Sequence, residues 1–236
     1  MSALLIDAGN SRIKWRYQLL KGDYLRGGCA HAEIGRLEWP EVERVLVSSV
    51  HDNPELKSQL YDQFGNRLIW LSQPRADFHG FRHCYSKPER LGIDRWLAMI
   101  GARSHIAGPV AVIDAGTALT VDFLSQENRH EGGFIVPGLT LAQQSLWQNT
   151  ERVIPYPDES DSGVLEPGKD TMQCVLAGVR CQQLGFIQHA LAERSEYSVF
   201  VTGGDGRWLA NASGNEYWPE LIFDGLDTLC AGYFLP

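Results

Sequence analysis

The sequence has little that points to a membrane or a nucleic acid. The apolar stretches at residues 96–102 and 106–113 are separated by polar residues, so neither is long enough to span a bilayer. Lysine and arginine do not cluster and the net charge is −8, so binding to nucleic acid through its phosphates is not expected. Neither a membrane nor a nucleic acid is therefore expected as a partner.

The cysteines give no sign of a disulfide framework. There are five, an odd number, and no Cys-x-x-Cys pair occurs, which is typical of reduced thiols in the cytoplasm. His79, His83 and Cys84 lie close in sequence but lack a second pair of ligands, so no transition metal is expected. The first residues lack the basic start and long apolar core of a secretory signal, so we expect a cytoplasmic protein.

A P-loop is also missing, because no Gly-Lys-Ser/Thr sequence of the Walker type occurs. Instead, residues 4–11 are echoed by residues 111–118, each a short apolar run that ends in Asp-Ala-Gly and a small polar residue. A second strand-like stretch follows each copy, at residues 13–19 and 119–124, so each copy predicts a hairpin with a carboxylate at its turn. The copies lie nearly half the chain apart, which predicts two similar subdomains.

The wider pattern predicts an α/β protein with two subdomains, residues 1–105 and 106–236, each a mixed sheet flanked by helices. Helices are predicted at residues 53–64, 94–105, 139–148 and 170–193, and strands at residues 43–50, 67–71 and 197–202. Residues 155–169, rich in proline and acids, predict a solvated surface loop or a lid. Gly178 and Gly185 would share one face of the last helix, as an oligomer seam or as an internal packing contact.

The repeated turns carry groups that suit phosphoryl transfer, which needs a held metal ion and donors around the phosphate oxygens. Asp7 or Asp114 can bind a cation, and the glycine and backbone amides that follow can approach a phosphate. Lys14, on the strand after the first turn, can add a positive charge. One Asp-Ala-Gly is more often only a good turn. Two copies with matching strands favour the functional interpretation.

A third carboxylate, Asp94, stands where a helical pattern begins. Its ordinary role there is to cap the helix. Its catalytic role would be that of a base, since the positive end of the helix dipole favours an ionised carboxylate. Arg95 can bind an acidic substrate as a fork or form a surface ion pair. Glycine-rich segments at residues 132–138 and 201–205 precede helical patterns, where backbone amides can face a phosphate or a purine can lie against the Cα atoms.

In order and spacing, these motifs resemble those of the type III pantothenate kinases, within the superfamily of acetate and sugar kinases, chaperone ATPases and actin. Residues 7–11 resemble the first phosphate motif, with Ser11 where threonine is usual, and residues 114–118 resemble the second. Residues 92–95 resemble the Gly-x-Asp-Arg signature and residues 132–138 the Gly-Gly-x-Ile-x-Pro-Gly segment. The resemblance covers nearly the whole chain. It implies a duplicated actin-like, ribonuclease H-like fold with a cleft between the subdomains.

The resemblance also implies an activity: ATP-dependent phosphorylation of pantothenate to 4′-phosphopantothenate, the first step of coenzyme A biosynthesis. Asp94 would accept the proton of the pantothenate hydroxyl, Asp7 would hold Mg²⁺, and Asp114 would hold a monovalent cation, K⁺ or NH₄⁺. The residues implied to bind pantothenate are Tyr85, Gly92, Ile93, Asp94, Arg95 and Thr171. Those implied to bind ATP are Asp7, Gly9, Asn10, Ser11, Lys14, Thr117 and Gly203. Because the family is dimeric, a homodimer is expected.

Two other interpretations stay open. The chain could be a kinase or phosphatase of the same superfamily with another small-molecule substrate, because a fold alone does not fix the substrate. Tyr85 and residues 92–95 argue against that interpretation. The chain could also be a non-catalytic regulator resembling the Bvg accessory factors, which share this sequence pattern. The presence of Asp94 and Asp114 argues against a regulator.

Overall fold

The structure, a computed structural model, describes residues 2–10, 12–18, 23–39, 41–51, 53–75, 78–161, 163 and 165–232. These residues form two compact units. The first contains the described residues of Met1–Ala107, Gln126–His130 and Glu220–Pro236, and the second those of Gly108–Ser125 and Glu131–Pro219. The domain boundaries 1–105 and 106–236 stay a prediction, to which the structure adds a C-terminal segment grouped with the first unit. None of the described helices is long and apolar enough to cross a membrane.

Strands and α-helices follow one another along the described chain. Their order is β1 Ala3–Ala8, β2 Ile13–Gln18, β3 Tyr24–Cys29, β4 Arg44–Ser49, α1 Pro54–Phe64, β5 Leu68–Leu71, α2 Ile93–His105, β6 Val110–Ala115, β7 Ala118–Leu124, β8 His130–Pro137, α3 Leu139–Asn149, α4 Thr171–Leu191, β9 Ser198–Thr202, α5 Gly206–Ser213, β10 Glu216–Tyr217 and α6 Leu221–Gly232. Short 3₁₀ helices lie at His31–Arg36, Gly65–Arg67, Phe78–Gly80 and Pro88–Arg90.

Each unit is built on a mixed five-stranded sheet, and the two sheets have the same connectivity. The strand order is β3-β2-β1-β4-β5 in the first sheet and β8-β7-β6-β9-β10 in the second. β1 is antiparallel to β2 and parallel to β4, and β6 has the same relation to β7 and β9. Asp7 and Asp114 occupy the same position near the end of the equivalent strands β1 and β6. The predicted duplicated α/β architecture is therefore confirmed.

The helices and strands predicted from periodicity are present with small shifts at their ends. Side-chain caps fix the start of two helices: Asn53 accepts a hydrogen bond from Leu56 N at 3.0 Å before α1, and Asp170 accepts one from Gln173 N at 2.7 Å before α4. The described residues of the 155–169 segment form neither helix nor strand, as predicted for a loop.

Each unit has its own hydrophobic core on one face of its sheet, formed by alternate residues of the strands. In the first unit the core joins β1, β2 and β4 to α1, through Leu4, Ile6, Ala8, Ile13, Val45, Val47, Leu56 and Leu60. In the second unit it joins β6, β7 and β9 to α4 and α5, through Ile113, Val121, Val201, Leu184, Ile187 and Leu209. The strands are thereby fixed, together with the polar residues at their ends.

Helices α2 and α6 of the first unit pack with their backbones nearly in contact, because each has a glycine at the crossing. A Cβ on Gly101 would lie 2.0 Å from the carbonyl oxygen of Leu221, and a Cβ on Gly225 would lie 2.1 Å from that of Leu97. A larger residue would force one of the helices to move. This packing fixes the position of α2, which carries Asp94 in its first turn.

Buried charge holds α6 to the first sheet. Arg16 of β2 is only 4% exposed, and it donates to Asp224 Oδ1 at 3.0 Å and to the carbonyl oxygen of Phe223 at 2.9 Å. It also pairs with Asp227. At the end of α2, His105 Nε2 lies 2.9 Å from Asp224 Oδ2. The acids of α6 therefore connect β2 with α2.

The glycine-rich segment at residues 132–138 is largely a strand. It forms most of β8, and only Gly138 lies at a helix start, as the N-cap of α3. A Cβ on Gly133 would lie 2.1 Å from the carbonyl oxygen of Val121, so glycine allows β8 to pass close to its neighbour β7. A phosphate or purine contact of this segment stays a prediction, and Gly138 places a backbone amide at the start of α3.

Candidate active site

Asp7 lies near the carboxyl end of β1, and the strands on either side place polar residues opposite it. These residues are Lys14 on β2 and Ser48 on β4. Ser48 Oγ donates a hydrogen bond to Asp7 Oδ1 at 3.0 Å. Because residues opposite one another in a sheet point to the same face, the three side chains form one polar group.

Burial dominates the electrostatics of Asp7, which is only 7% exposed. Burial raises the pKa of its carboxyl to about 6, the hydrogen bond from Ser48 and the charge of Lys14 oppose the rise, and the negative charge of Asp94 adds to it. Asp7 and Asp94 therefore lie close enough to repel each other within the first unit. A cation beside Asp7 would relieve both the burial cost and this repulsion.

A histidine that the sequence analysis did not single out holds the turn after β1. His31 Nε2 lies 3.0 Å from the carbonyl oxygen of Gly9. Because a carbonyl oxygen can only accept, His31 is the donor in this hydrogen bond. Asn10, the next residue of the turn, is exposed, and Ser11 lies outside the described residues. The turn is thus anchored at Gly9, and Asn10 is accessible to a ligand.

Asp94 is the second residue of α2, and the N-cap of this helix is Gly92. Asp94 Oδ1 accepts a hydrogen bond from Arg95 N at 2.8 Å. A Cβ on Gly92 would lie 2.5 Å from Asp94 Oδ1, so glycine leaves room for the carboxylate beside the helix start. Asp94 is therefore not the N-cap residue of α2. It is a half-buried carboxylate at the positive end of the helix, a position that suits a base.

Arg95 is buried rather than on the surface, and aromatic residues support it. It is 7% exposed, and its Nη1 donates to the hydroxyl oxygen of Tyr85 at 3.1 Å. The ring of Tyr85 stacks on that of His130, with 5.9 Å between centroids. His130 Nδ1 in turn lies 3.3 Å from Cys84 Sγ. Within the first unit the structure thus brings together Arg95 and Tyr85, two residues predicted to bind substrate.

In the second unit, Asp114 lies near the end of β6, just before the second repeated turn. The carbonyl oxygen of Thr117 in this turn accepts a hydrogen bond from Gly138 N at 3.0 Å. Gly203 has a φ of +94°, and a Cβ there would lie 2.4 Å from both Asp114 Oδ1 and the carbonyl oxygen of Ala115. Glycine is required at this position for both reasons. Two oxygen atoms therefore flank Gly203.

Thr171 is the half-buried first residue of α4, also in the second unit. It lines an open groove of about 700 Å³ that runs along this helix. The other residues of the groove include Leu146, Val153, Lys169, Cys174 and Gly178. Thr171 is thus accessible to a ligand that enters the groove.

Sequence reasoning missed Ser48, His31 and His130. Ser48 had a signal, because it ends a buried apolar strand just as Asp7 does. His31 lies on a 3₁₀ helix and His130 begins a strand, and each meets its partner only through the tertiary fold. That the turns after β1 and β6 face a common cleft stays a prediction from the sequence.

Comparisons with known proteins identify the relatives of this chain. The family model described as type III pantothenate kinase matches residues 3–193. A type III pantothenate kinase of Dichelobacter nodosus is 35% identical, over 94% of this chain and 95% of the relative. One of Azotobacter vinelandii is 33% identical, over 95% of this chain and 97% of the relative.

Solved structures support the same fold. A candidate Baf family transcriptional activator of Campylobacter jejuni is 26% identical, with a TM-score of 0.67 and coverage of 98% of this chain and all of that one. A candidate 2-dehydro-3-deoxygalactonokinase of Sinorhizobium meliloti has a TM-score of 0.60 at 13% identity, covering 99% of this chain and all of that one. The second likeness concerns the fold alone.

Replacing Asp7 by asparagine should stabilise the ligand-free protein at pH 7.5 by about 2 to 3 kcal/mol, because the folded state no longer buries a charge. Because burial raises the pKa of Asp7 to about 6, this cost is absent below about pH 4, builds up between about pH 4 and 6, and stays constant above that range. The advantage of Asp7→Asn should therefore vanish at pH 4. Urea unfolding at both pH values measures it, and an equal effect at both would contradict the role assigned to burial.

Proposed function

The chain belongs to the type III pantothenate kinase family, and from this membership we propose how its residues share the work of phosphoryl transfer. Its activity is the transfer of a phosphoryl group from ATP to pantothenate, the first step of coenzyme A biosynthesis. The observation that carries this conclusion is the match of the family over residues 3–193, together with relatives about one-third identical over nearly the whole chain.

Asp94 is the proposed general base. Its carboxylate stands at the start of α2, with Oδ1 held by Arg95 N, and would accept the proton of the pantothenate hydroxyl as the phosphoryl group arrives. Phosphoryl transfer depends mainly on positioning and charge, so a fixed carboxylate is more useful than a mobile one. The glycine at residue 92 supports this role, because it leaves space beside the carboxylate.

Pantothenate binding is proposed for Tyr85, Arg95, Thr171 and the backbone of residues 92–93. The buried guanidinium of Arg95, held by the Tyr85 hydroxyl, suits the carboxylate of an acidic substrate. Ile93 is 2% exposed, so its contribution would come from the backbone. Thr171 faces the groove along α4.

ATP phosphates are proposed to bind at the two repeated turns. In the first turn the groups are Gly9, Asn10, Ser11 and Lys14, and in the second unit they are Thr117 and Gly203. The support for this assignment is the repeat itself, since equivalent strands end in the same Asp-Ala-Gly sequence in both units. The exposed side chain of Asn10 is accessible to a phosphate.

Mg²⁺ is proposed to bind at Asp7. Within the described residues no three of His, Cys, Asp and Glu converge on a metal, so this chain would supply only part of a coordination shell. That suits Mg²⁺, which in phosphoryl-transfer sites takes one or two carboxylates and completes its shell with water and phosphate oxygens. The buried carboxylate of Asp7, with the Ser48 hydroxyl beside it, fits this pattern, and Mg²⁺ would neutralise phosphate charge there.

A monovalent cation, K⁺ or NH₄⁺, is proposed at Asp114. A Cβ on Gly203 would lie 2.4 Å from both Asp114 Oδ1 and the carbonyl oxygen of Ala115, so these two oxygen atoms lie near each other beside Gly203. A carboxylate with a backbone carbonyl is a suitable donor set for such an ion.

The proposed enzyme is a cytoplasmic homodimer. The support for the dimer lies in α4, where a Cβ on exposed Gly178 or Gly185 would meet nothing within 4 Å, leaving room for a helix of a second copy.

Light scattering should give twice the mass of one chain, and Gly178→Leu should lower the dimer fraction. A monomer at every concentration would contradict this proposal.

Asp94→Asn should lower pantothenate-dependent ATP consumption by roughly 10²- to 10⁴-fold while the thermal unfolding curve stays close to that of the wild type, because the proton acceptor is lost and the shape is kept. The control is Asp62→Asn on the exposed side of α1, which should retain full activity. Near-normal turnover by Asp94→Asn would remove this residue from the mechanism.

The same assay separates the alternatives. Wild-type protein should consume ATP with pantothenate but not with sugars, acetate or glycerol. The likeness to the candidate Baf family activator of C. jejuni is the observation that favours a regulator. Failure to turn over ATP with every substrate in this panel would support that reading, and turnover with a sugar alone would support another kinase of the superfamily.

Exchanging Na⁺ for K⁺ or NH₄⁺ at constant ionic strength should raise the turnover several-fold, because the ion would occupy the oxygen pair beside Gly203. Asp114→Asn should lose this response, whereas Asp62→Asn should keep it. Initial rates in the three chloride salts measure the effect. Equal rates in all three salts would overturn the assignment of the ion to Asp114.

A further inference from the structure

The acidic loop that precedes α4 is bound to the start of this helix through Glu159. The two oxygens of the carboxylate are both used: Oε1 accepts from Thr171 N at 3.2 Å, and Oε2 accepts from Met172 N at 3.1 Å. Oε2 also accepts from Tyr156 N at 3.1 Å, within the loop itself. Glu159 is thus a bridge between the loop and the first two residues of α4.

The first backbone amides of a helix have no acceptor within the helix, and at the start of α4 side chains serve as acceptors instead. Glu159 accepts hydrogen bonds from the backbone amides of Thr171 and Met172, and Asp170 accepts one from the backbone amide of Gln173 at 2.7 Å. Hydrogen bonds from amides to a carboxylate are stronger than those to neutral acceptors. The first turn of α4 is therefore held by charged groups rather than left to fray, and its first residue is Thr171.

A second contact ties the same loop to α4 but does not touch Thr171. Arg180 donates to Asp161 through both nitrogens, with Nη1 at 2.9 Å from Oδ1 and Nη2 at 2.5 Å from Oδ2. These hydrogen bonds lower the pKa of the Asp161 carboxyl to about 2. The pair therefore offers a matched control: it fastens the loop to the helix more than two turns beyond its start.

We propose that Glu159 is a positioning residue for pantothenate binding, acting by fixing the backbone of Thr171. The inference rests on the proposed function, in which Thr171 contacts pantothenate. Thr171 lines the groove, and its backbone amide donates a hydrogen bond to Glu159. Glutamate fits this task because a single carboxylate can accept from two successive amides, whereas the amide of glutamine offers one acceptor oxygen.

Glu159→Ala should raise the KM for pantothenate about tenfold while kcat and the KM for ATP change less than about twofold, because binding of the ground state and of the transition state are weakened equally. Glu159→Gln, which keeps the size of the side chain and one acceptor, should show a smaller rise in KM. Steady-state kinetics of both variants, with thermal unfolding as the folding check, supply the measurement. An unchanged KM for pantothenate in both would overturn the proposal.

A double-mutant cycle separates positioning from a general effect on the helix. Thr171→Val should itself raise the KM for pantothenate, and adding Glu159→Ala to it should raise the KM no further, since the group that Glu159 positions is gone. Independent, multiplying effects would overturn the proposal. An unchanged KM in Thr171→Val would also overturn it, while leaving the kinase activity of the wild type intact.

Asp161→Asn is the matched control. It removes the pairing with Arg180 but leaves Glu159 in contact with α4, so the KM for pantothenate should stay within about twofold of that of the wild type. A rise equal to that of Glu159→Ala would mean that docking of the whole loop matters and would overturn the specific role of Glu159. A wild type inactive with pantothenate would instead refute the proposed function.

Discussion

The buried carboxylate of Asp7 constrains which side chains can surround it in the first unit. A charge at the end of a central strand is costly to bury, and here it is met by a hydroxyl from Ser48 and a positive charge from Lys14. Asp94 adds a second negative charge nearby. This excess of negative charge makes the place favourable for a cation and for the phosphates that accompany one.

Glycine determines how closely the functional groups of each unit approach the backbone. Gly92 leaves room for the Asp94 carboxylate, and Gly203 leaves room beside Asp114. Gly101 and Gly225 serve the same end indirectly, since they bring α6 against α2 and so set the position of the helix that carries Asp94. Each of these sites would lose its geometry if a methyl group were added.

Much of the fold and of the candidate site could be predicted because local sequence patterns contain the information for it. The repeated Asp-Ala-Gly gave the duplication, and the periodic helices and apolar strands appeared where expected. Strands β3, β8 and β10 and helices α5 and α6 were not predicted. β8 is rich in glycine, which weakens a strand pattern, and its close approach to β7 depends on Gly133. The partners of Asp7, Gly9 and Tyr85 were missed for a similar reason, because contacts across long sequence separations leave no local pattern.

The sequence by itself determined the family and the duplicated architecture, because these depend on residue type and spacing along the chain, and the same patterns supplied the prediction of which carboxylates react. Only the tertiary structure decided that Asp94 is not the N-cap residue, that Arg95 is buried against Tyr85, and that Glu159 holds the start of α4. Hydrogen bonding and burial depend on which segments meet in space. Those contacts between segments are determined by packing of the whole chain, which no short stretch of sequence encodes.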